Sequence, residues 1–215
     1  MEKEPAPIQY AYLYGPHKAG ETRVLRNVAL KPEDPQPVEP YPGIDTLLKA
    51  FDRTAARIPD APFLGTRELL GTEEEKDART GRPQQVKKFG AYHWITFAEA
   101  KSTSAALAQA IEERQLCQTD SSSGTRYRFF GMYSRNRTEW VLMDLALMHA
   151  DIASVCLYET LGGESFEYIV KETNLTALGC SIEDLATLFK YKEAGQISTL
   201  KNIVCYDSVP AAAYE

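Results

Sequence analysis

The chain has 215 residues, of which 44% are hydrophobic and 10% aromatic, a composition typical of a packed core rather than a disordered chain. The formal net charge is −6, and no run of Lys and Arg is longer than the pair Lys87 and Lys88. This balance excludes the usual basic face of a nucleic-acid binder. No apolar stretch approaches the length of about 20 residues that a membrane span needs.

The start of the chain lacks the basic and apolar regions of a signal peptide, so we expect the protein to begin in the cytosol. Any membrane association would then depend on segments outside these residues.

Residues 1–43 are predicted to form an arm. Aromatic and aliphatic residues alternate with others near its start, which indicates a short extended segment: Ile8, Tyr10, Tyr12 and Tyr14. Five prolines follow and favour an extended path with few backbone hydrogen bonds: Pro32, Pro35, Pro37, Pro40 and Pro42. Their spacing would also suit an SH3-type partner, but the flanking residues are acidic, so a structural tether is the preferred interpretation.

The region after the arm is predicted to begin with a helix over residues 44–58, which Pro59 ends. Its apolar face consists of Ile44, Leu47, Leu48, Phe51, Ala55 and Ile58. Short strands are predicted around residues 63–66 and 92–96. The polar stretch 71–88, which contains three consecutive glutamates, is predicted to be a solvated loop between them.

A second helix is predicted to start after Thr96, because Thr96 and Glu99 have the spacing of a capping box. Its buried face is expected to consist of Phe97, Ala100, Ser104, Leu107 and Ile111, and it fades at Gln115. Residues 121–125 are predicted to be a flexible loop.

From about residue 128 the pattern changes to alternating strands and helices. Strands are predicted at 129–132, 152–157, 175–180 and 202–205, and helices at 137–150, 164–173 and 183–193. The uninterrupted apolar strands predict a parallel sheet that is covered on both faces and joined by right-handed crossovers. The fold class is therefore α/β, whereas the strand order cannot be read from the pattern.

Two details of this half are also predicted. Asn136 and Glu139 have the spacing of a helix N-cap. The helix that follows contains Asp144 as its single charge between Trp140 and Met148, so it is expected to be buried on most sides, with Asp144 either facing solvent or paired.

The four cysteines, Cys117, Cys156, Cys180 and Cys205, lack the spacing of a zinc or redox motif. They are predicted to be small buried residues of a reduced protein. The last three are expected at equivalent positions of successive strand–helix units.

Nucleotide and hydrolase motifs are missing from the sequence. Residues 131–136 contain one Gly where a dinucleotide fingerprint needs three. Residues 121–125 contain one Gly and no Lys, and they precede a strand, so they are interpreted as a linker rather than a phosphate loop. His17, His93 and His149 lack partners at catalytic spacing, and His149 is expected to cap the end of its helix.

Three segments resemble the long-chain fatty acyl-CoA synthetases of the adenylate-forming superfamily. FLGTR (63–67) with YHWITF (92–97) is similar to the family's LGxR and YxWxTY pair, with Phe97 in place of the commoner Tyr. GMYSRNRTEW (131–140) resembles G-(I/V)-x-S-x-N-R-x-E-W. LYETLG (157–162) resembles PLYDTLG, with Cys156 in place of Pro and Glu159 in place of Asp.

The resemblance implies an AMP-forming ligase that uses a long-chain fatty acid, ATP with Mg²⁺, and CoA. The family's phosphate loop, its adenine and ribose contacts and its catalytic Lys lie further along, and none is found in residues 1–215. No catalytic, cofactor-binding or metal-binding residue is therefore assigned. Seven motif residues are expected to brace the turns after the first two strands of the parallel sheet rather than contact substrate: Asn136, Arg137, Glu139, Trp140, Tyr158, Thr160 and Gly162.

The resemblance thus predicts that residues 44–215 form the incomplete N-terminal half of an AMP-binding domain, which is inactive in isolation. The parent enzyme is expected in the cytoplasm or on the cytosolic face of the endoplasmic reticulum or another membrane. Acyl length, organelle and oligomeric state, including a homo-oligomer, stay open.

Two alternatives also stay open. The first is a self-contained α/β binding module without ligase activity, which a stable monomer would favour. The second is an interaction protein that uses the proline-rich arm, which capture of a partner by residues 1–43 would favour.

Overall fold

The computed structural model describes residues 9–28, 30, 41–120, 126–158, 160 and 162–209. The chain divides into two compact units, one up to Thr46 and the other from Leu47 onward. The predictions for residues 121–125 and for the prolines between 32 and 40 lie outside the described residues.

The first unit contains a small antiparallel hairpin. β1 (Ala11–Tyr14) pairs with β2 (Val24–Asn27), and the guanidinium of Arg26 lies 4.6 Å from the centre of the Tyr14 ring. Arg23 donates a hydrogen bond of 3.0 Å to the carbonyl oxygen of Gly15. The predicted extended segment is confirmed at β1, and its partner strand was not expected.

The second unit starts with α1 (Leu47–Arg57). The helix begins three residues later than predicted, because Ile44 forms an isolated β-bridge with Tyr41. Its predicted apolar face is only partly correct, since the Leu47 side chain is 75% exposed. Phe51, in the middle of the helix, packs 5.5 Å from Phe63 and 6.1 Å from Phe97 between ring centres, which ties α1 to the elements that follow.

β3 (Pro62–Lys76) and β4 (Pro83–Thr96) form a long antiparallel hairpin. The prediction of a loop over 71–88 is therefore wrong, because only residues 77–82 connect the strands. In that turn Asp77 Oδ1 accepts hydrogen bonds from the backbone N–H groups of Arg79 and Thr80. Both strands are exposed over most of their length. They therefore lack the alternation of apolar and polar residues by which a sequence reveals a half-buried strand.

α2 (Phe97–Glu113) opens with the predicted capping box. Thr96 Oγ1 accepts from the N–H of Glu99 at 3.2 Å, and Glu99 Oε2 accepts from the N–H of Thr96 at 2.7 Å. The hydrogen bond from the Thr96 N–H and a further one from the Thr96 hydroxyl lower the pKa of the Glu99 carboxyl group. Gln115 adopts φ of 50°, which ends the helix in the left-handed region.

The parallel sheet confirms the α/β prediction. Its strands, in spatial order, are β7 (Ala153–Cys156), β6 (Tyr127–Tyr133), β8 (Ala177–Cys180) and β9 (Asn202–Cys205), and β5 (Thr119–Asp120) pairs antiparallel with the start of β6. Its helices are α3 (Thr138–His149), α4 (Gly162–Glu172) and α5 (Leu185–Glu193), the last preceded by a 3-10 turn at Ile182–Asp184. Across the described ranges, the helices are too short or too polar to cross a bilayer.

Both faces of the sheet are covered around β6 and β8, as predicted, whereas three of the four residues of β7 are exposed. On one face, side chains of β6 such as Phe130 pack with residues of α2 and α3, and on the other Tyr133 packs with residues of α4 and α5. Gly131 is required by close packing, because a Cβ there would lie 2.7 Å from Leu175 Cδ2 and 2.8 Å from Leu178 Cβ. α3 is buried on most sides, which confirms that prediction.

The cysteine prediction is only partly correct. Cys180 is buried, Cys117 and Cys205 are half-buried, and Cys156 is exposed because its strand lies at the edge of the sheet. Cys180 and Cys205 are direct neighbours in register. Cys156 is aligned with Met132 and Cys180 with Tyr133, so Cys156 is offset by one residue from the equivalent position.

Candidate functional site

The strand order places a topological switch at the carboxyl end of β6. The chain leaves β6 for β7 on one side and later returns to β8 on the other side of β6. In open α/β sheets, ligands bind in the crevice beside such a point. The turn formed by residues 134–137 lies here, and the second predicted motif occupies it.

The start of α3 differs from the sequence prediction. Arg137 is the N-cap, with φ of −156°, and no side chain caps the helix. Asn136 is exposed. The Glu139 carboxylate accepts from Arg137 Nε at 2.7 Å. The predicted Asn136–Glu139 capping pattern is therefore wrong, because the nearby guanidinium takes the carboxylate.

Arg137 joins the carboxyl ends of three strands. Its Nη2 and Nη1 donate to the two carboxylate oxygens of Asp207 at 2.7 and 2.9 Å, a bidentate arrangement, and Nη1 also donates to Ser181 Oγ at 3.2 Å. Ser181 follows β8, and Asp207 lies two residues after β9. We call Arg137, Ser181 and Asp207 the switch clamp.

The switch clamp is also supported electrostatically. Asp207 Oδ2 accepts from the backbone N–H of Ile182 at 2.9 Å. The hydrogen bonds from Arg137 lower the pKa of Asp207, and partial burial opposes this shift without cancelling it. The bonds to Asp207 and Glu139 in turn raise the pKa of Arg137. Arg137 and Asp207 are therefore both ionised at neutral pH, and the bonds of the clamp join the carboxyl ends of β6, β8 and β9.

A cleft of about 650 Å³ opens at the carboxyl ends of β6 and β7. We call it the β6–β7 cleft. It is lined by apolar and aromatic groups with polar groups among them: Met132, Ser134, Arg135, Asn136, Trp140, Cys156, Leu157, Tyr158 and Thr160. Four of the seven predicted motif residues, Asn136, Trp140, Tyr158 and Thr160, thus lie around one cavity.

The other three motif residues lie outside this cleft. Arg137 and Glu139 form the ion pair described above. Gly162 begins α4 with φ of 72°, a backbone conformation that glycine adopts without strain.

A second cavity, of about 810 Å³, lies between the β3–β4 hairpin and the start of α3. We call it the hairpin groove. Arg67, Phe89 and Tyr92 line it from the hairpin, and Asn136 and Glu139 line it from the start of α3. The hydroxyls of Thr66 and Thr138 are hydrogen-bonded across it at 2.7 Å. Asn136 therefore lines both cavities.

The first motif has a physical basis in the hairpin. The Trp94 ring lies flat against Gly65, so a Cβ on Gly65 would come within 2.7 Å of it. Arg67 donates to the carbonyl oxygens of Gly90 and Phe89 at 2.8 and 3.0 Å, and its guanidinium lies 5.3 Å from the ring centres of Phe89 and Tyr92. Sequence reasoning assigned no role to Gly65 or Arg67, because these contacts depend on the register of the hairpin.

Three further residues considered in the sequence, His149, Asp144 and Cys156, do not form a catalytic arrangement among the described residues. The prediction that His149 caps its helix is not supported, because the cap is the N–H of Ala150 bonded to Ala146, and His149 Nε2 has no partner among the described residues. Asp144 is half-buried. Burial, with a contribution from Asp144, raises the pKa of the Cys156 thiol, which makes it a weaker nucleophile.

Comparison with known proteins gives a consistent result. A family described as AMP-binding enzyme matches residues 72–215. Fatty acyl-CoA synthetase A of Dictyostelium discoideum is 31% identical over 156 residues, which cover 73% of this chain and 20% of that protein. Long chain acyl-CoA synthetase 7, peroxisomal, of Arabidopsis thaliana is 28% identical over 157 residues, which cover 71% and 21%. The chain thus spans about a fifth of the length of these curated relatives.

Solved structures share the fold. The adenylation domain of a carboxylate reductase from Mycobacterium chelonae superposes with a TM-score of 0.59 at 21% identity, covering 81% of this chain and 25% of that one. The corresponding domain of carboxylic acid reductase from Segniliparus rugosus, in complex with AMP and a co-purified carboxylic acid, gives 0.57 at 19% identity, covering 77% and 24%. At these identities the likeness shows the fold alone.

Proposed function

The chain belongs to the family of AMP-binding enzymes, and we propose that it is part of a long-chain fatty acid–CoA ligase. The observation that supports this most is the meeting of three segments that resemble the long-chain synthetases. The first contributes Arg67 and Tyr92 to the hairpin groove, and the third contributes Tyr158 and Thr160 to the β6–β7 cleft. The second contributes Asn136, which lines both cavities.

The proposed reaction has two steps. An oxygen of the fatty-acid carboxylate attacks the α-phosphorus of ATP, and the bond to pyrophosphate breaks, which gives an acyl-adenylate. The sulfur of CoA then attacks the acyl carbon, and AMP leaves as the thioester forms. The first step is needed because a carboxylate becomes a useful electrophile only after its oxygen has been turned into a good leaving group.

In this proposal the residues of the chain build and stiffen the walls of the site. The switch clamp holds the carboxyl edge of the sheet, and the motif residues brace the two turns next to it. Precise positioning of bound groups depends on such a rigid frame. We therefore propose for the seven motif residues the structural role that the resemblance implies: Asn136, Arg137, Glu139, Trp140, Tyr158, Thr160 and Gly162.

The family implies a magnesium ion as well as ATP. Within the described ranges, no group of three or more His, Cys, Asp or Glu side chains is arranged to hold a metal ion. We therefore assign no described residue to magnesium, and no step of the reaction is routed through it.

The finer points of the proposal rest on the relatives and the motifs. The preference for long acyl chains is supported by the names of relatives such as the Arabidopsis protein. We also propose that residues 1–43 form an arm and that residues 44–215 form half of an AMP-binding domain. A cytosolic or membrane-surface location on the cytosolic side is part of the same proposal.

Pyrophosphate exchange tests the activity. The protein expressed from its complete reading frame is incubated with palmitate, ATP and labelled pyrophosphate, and palmitoyl-CoA is measured after CoA is added. We expect palmitate-dependent exchange and thioester formation from that protein, and neither from residues 1–215 alone.

Acetate in place of palmitate is the matched control for chain length. Exchange with acetate alone would refute the long-chain assignment and leave the ligase assignment standing. A complete protein that binds palmitate without exchange would instead support the binding-module alternative.

A further inference from the structure

Two cysteines are neighbours at the carboxyl ends of β8 and β9. Cys180 pairs directly with Cys205 in the parallel register, so both side chains lie on the same face of the sheet. Adjacent strands are separated by about 4.7–4.9 Å, which lies within the range of Cα separations, about 4.4–6.8 Å, that a disulfide bridges. The spacing of the strands therefore places the two Cα atoms at a separation that a disulfide can bridge.

The other two cysteines are placed differently. Cys156 is exposed on β7, and β6 separates β7 from β8. Cys117 precedes the sheet and packs against the core on the α2–α3 face. Cys180 belongs to the core on the opposite face, with α4 and α5. Cys180 and Cys205 are thus the pair that the fold brings together.

We propose that Cys180 and Cys205 form a reversible intrachain disulfide when the protein meets a peroxide. Cys205 reacts first because it is half-buried, whereas Cys180 is fully buried. The Cys205 thiolate attacks one peroxide oxygen, the O–O bond breaks, and a sulfenic acid and one water form after protonation. The Cys180 sulfur then attacks the Cys205 sulfur, and the hydroxide that leaves takes the Cys180 proton as a second water. Two thiols lose two electrons, and the peroxide is reduced to two waters.

Burial affects the second step. It raises the pKa of the Cys180 thiol to about 12, with the neighbouring Cys205 contributing. Cys180 is therefore protonated at neutral pH, and its attack on the Cys205 sulfenic acid depends on the proximity that the strand pairing gives. This order of events makes the cross-link specific to the pair.

The disulfide would act on the switch clamp. Ser181 follows Cys180 directly, and Asp207 lies two residues after Cys205. The N–H of Tyr206 already donates to the carbonyl oxygen of Cys180 at 2.9 Å, so the strands are joined at this level. A covalent bond here restricts the separation of Ser181 and Asp207, the two groups that Arg137 holds together.

Thiol mapping tests the proposal on three forms of the protein: the unmodified protein, Cys205→Ser and, as a matched control, Cys156→Ser. Each is treated with hydrogen peroxide, its remaining thiols are alkylated after denaturation, and its mass and linked peptides are determined. We expect the unmodified protein and Cys156→Ser to lose two alkylatable thiols together and to yield a linked 180–205 peptide, which dithiothreitol removes. Cys205→Ser should yield none.

Other patterns of oxidation would overturn the proposal. Peroxide treatment that gives dimers through Cys156, or sulfinic acid at Cys205 without the linked peptide, rules out the pair. The unmodified protein alone decides this, so a variant that fails to fold does not weaken the test.

The effect on the clamp is measured by thermal unfolding. Closing the loop between the two cysteines should raise the Tm of the oxidised protein by roughly 5 °C, and dithiothreitol should reverse the change. A linked protein whose Tm is unchanged or lower would contradict the claim that the bond stabilises this edge.

Discussion

The β3–β4 hairpin and the parallel sheet are stabilised in different ways. The hairpin strands have 15 and 14 residues and are exposed over most of their length. The strands β8 and β9 have only four residues each, but all of these residues are at least partly buried, and helices cover both faces of the sheet around β8. The hairpin depends on backbone pairing and contacts along its own surface, whereas the sheet depends on burial. We therefore expect the short buried strands to contribute more to the stability of the fold than the long exposed ones.

The charged groups of the two regions differ in the same sense. Lys88 pairs with Glu73 at 3.6 Å and with Glu75 on the exposed hairpin, where ion pairs contribute little. Arg137 and Asp207 are only about a quarter exposed and share two hydrogen bonds. The switch clamp is thus the stronger electrostatic contact, and its Arg137 also lines the hairpin groove.

Replacing one Phe in each region should give the largest difference in the free energy of unfolding between the sheet and the hairpin. Phe130 is 0% exposed and Phe89 is 42% exposed. Phe130→Ala should lower the free energy of unfolding by about 3–5 kcal/mol, because it leaves a cavity in a packed core. Phe89→Ala should lower it by about 1 kcal/mol or less. Urea unfolding followed by circular dichroism measures both, and equal losses would refute the distinction.

Replacing one Asp in each region tests the electrostatic difference. Arg137 lowers the pKa of Asp207, so the ionised form stabilises the fold above the ordinary value of 3.8, and this stability is lost as the pH falls through the lower folded value. Asp207→Asn should lower the free energy of unfolding at pH 7 by about 1–3 kcal/mol. In this variant the free energy of unfolding should also fall less steeply with decreasing pH below about pH 4. Urea midpoints measured between neutral and acid pH follow both effects.

Asp77→Asn is the matched control in the hairpin turn, where hydrogen bonds from Thr80 also lower the pKa of the carboxylate. Its effect should be smaller, because the hydrogen bonds to Asp77 come from neutral groups of its own turn rather than from a guanidinium. An equal shift of the urea midpoints in the two variants would show that the switch clamp contributes no more to stability than the hydrogen bonds of the hairpin turn.

A glycine substitution in the hairpin should have the smallest effect. A Cβ on Gly65 meets the Trp94 ring, whereas a Cβ on Gly90 meets nothing closer than 3.7 Å. Gly65→Ala should cost about 1 kcal/mol or less, because the Trp94 side chain is 52% exposed and lies outside the packed core. In a Trp140→Phe background, Gly65→Ala should change the fluorescence of Trp94 and Gly90→Ala should not. Identical spectra would show that Gly65 does not position the ring.

The same difference explains which elements were predictable. The buried strands appeared as apolar runs, and β9 was predicted at its observed residues because each of its side chains is at least partly buried. The hairpin strands beyond Leu70 were mistaken for a loop, since an exposed strand has no apolar face. The prediction of an Asn136 cap was wrong for another reason. The Glu139 carboxylate accepts from Arg137 instead, and the spacing of the residues does not reveal that contact.

The sequence alone determined the α/β class, the capping box at Thr96 and the motif residues around the first two turns. These depend on groups a few residues apart or on the burial of one segment, and both leave a local pattern. Only the tertiary structure decided the order β7–β6–β8–β9, the bond between Arg137 and Asp207, 70 residues apart, and the pairing of Cys180 with Cys205. Such contacts are set by which strands become neighbours, and the spacing of residues along a chain does not specify that.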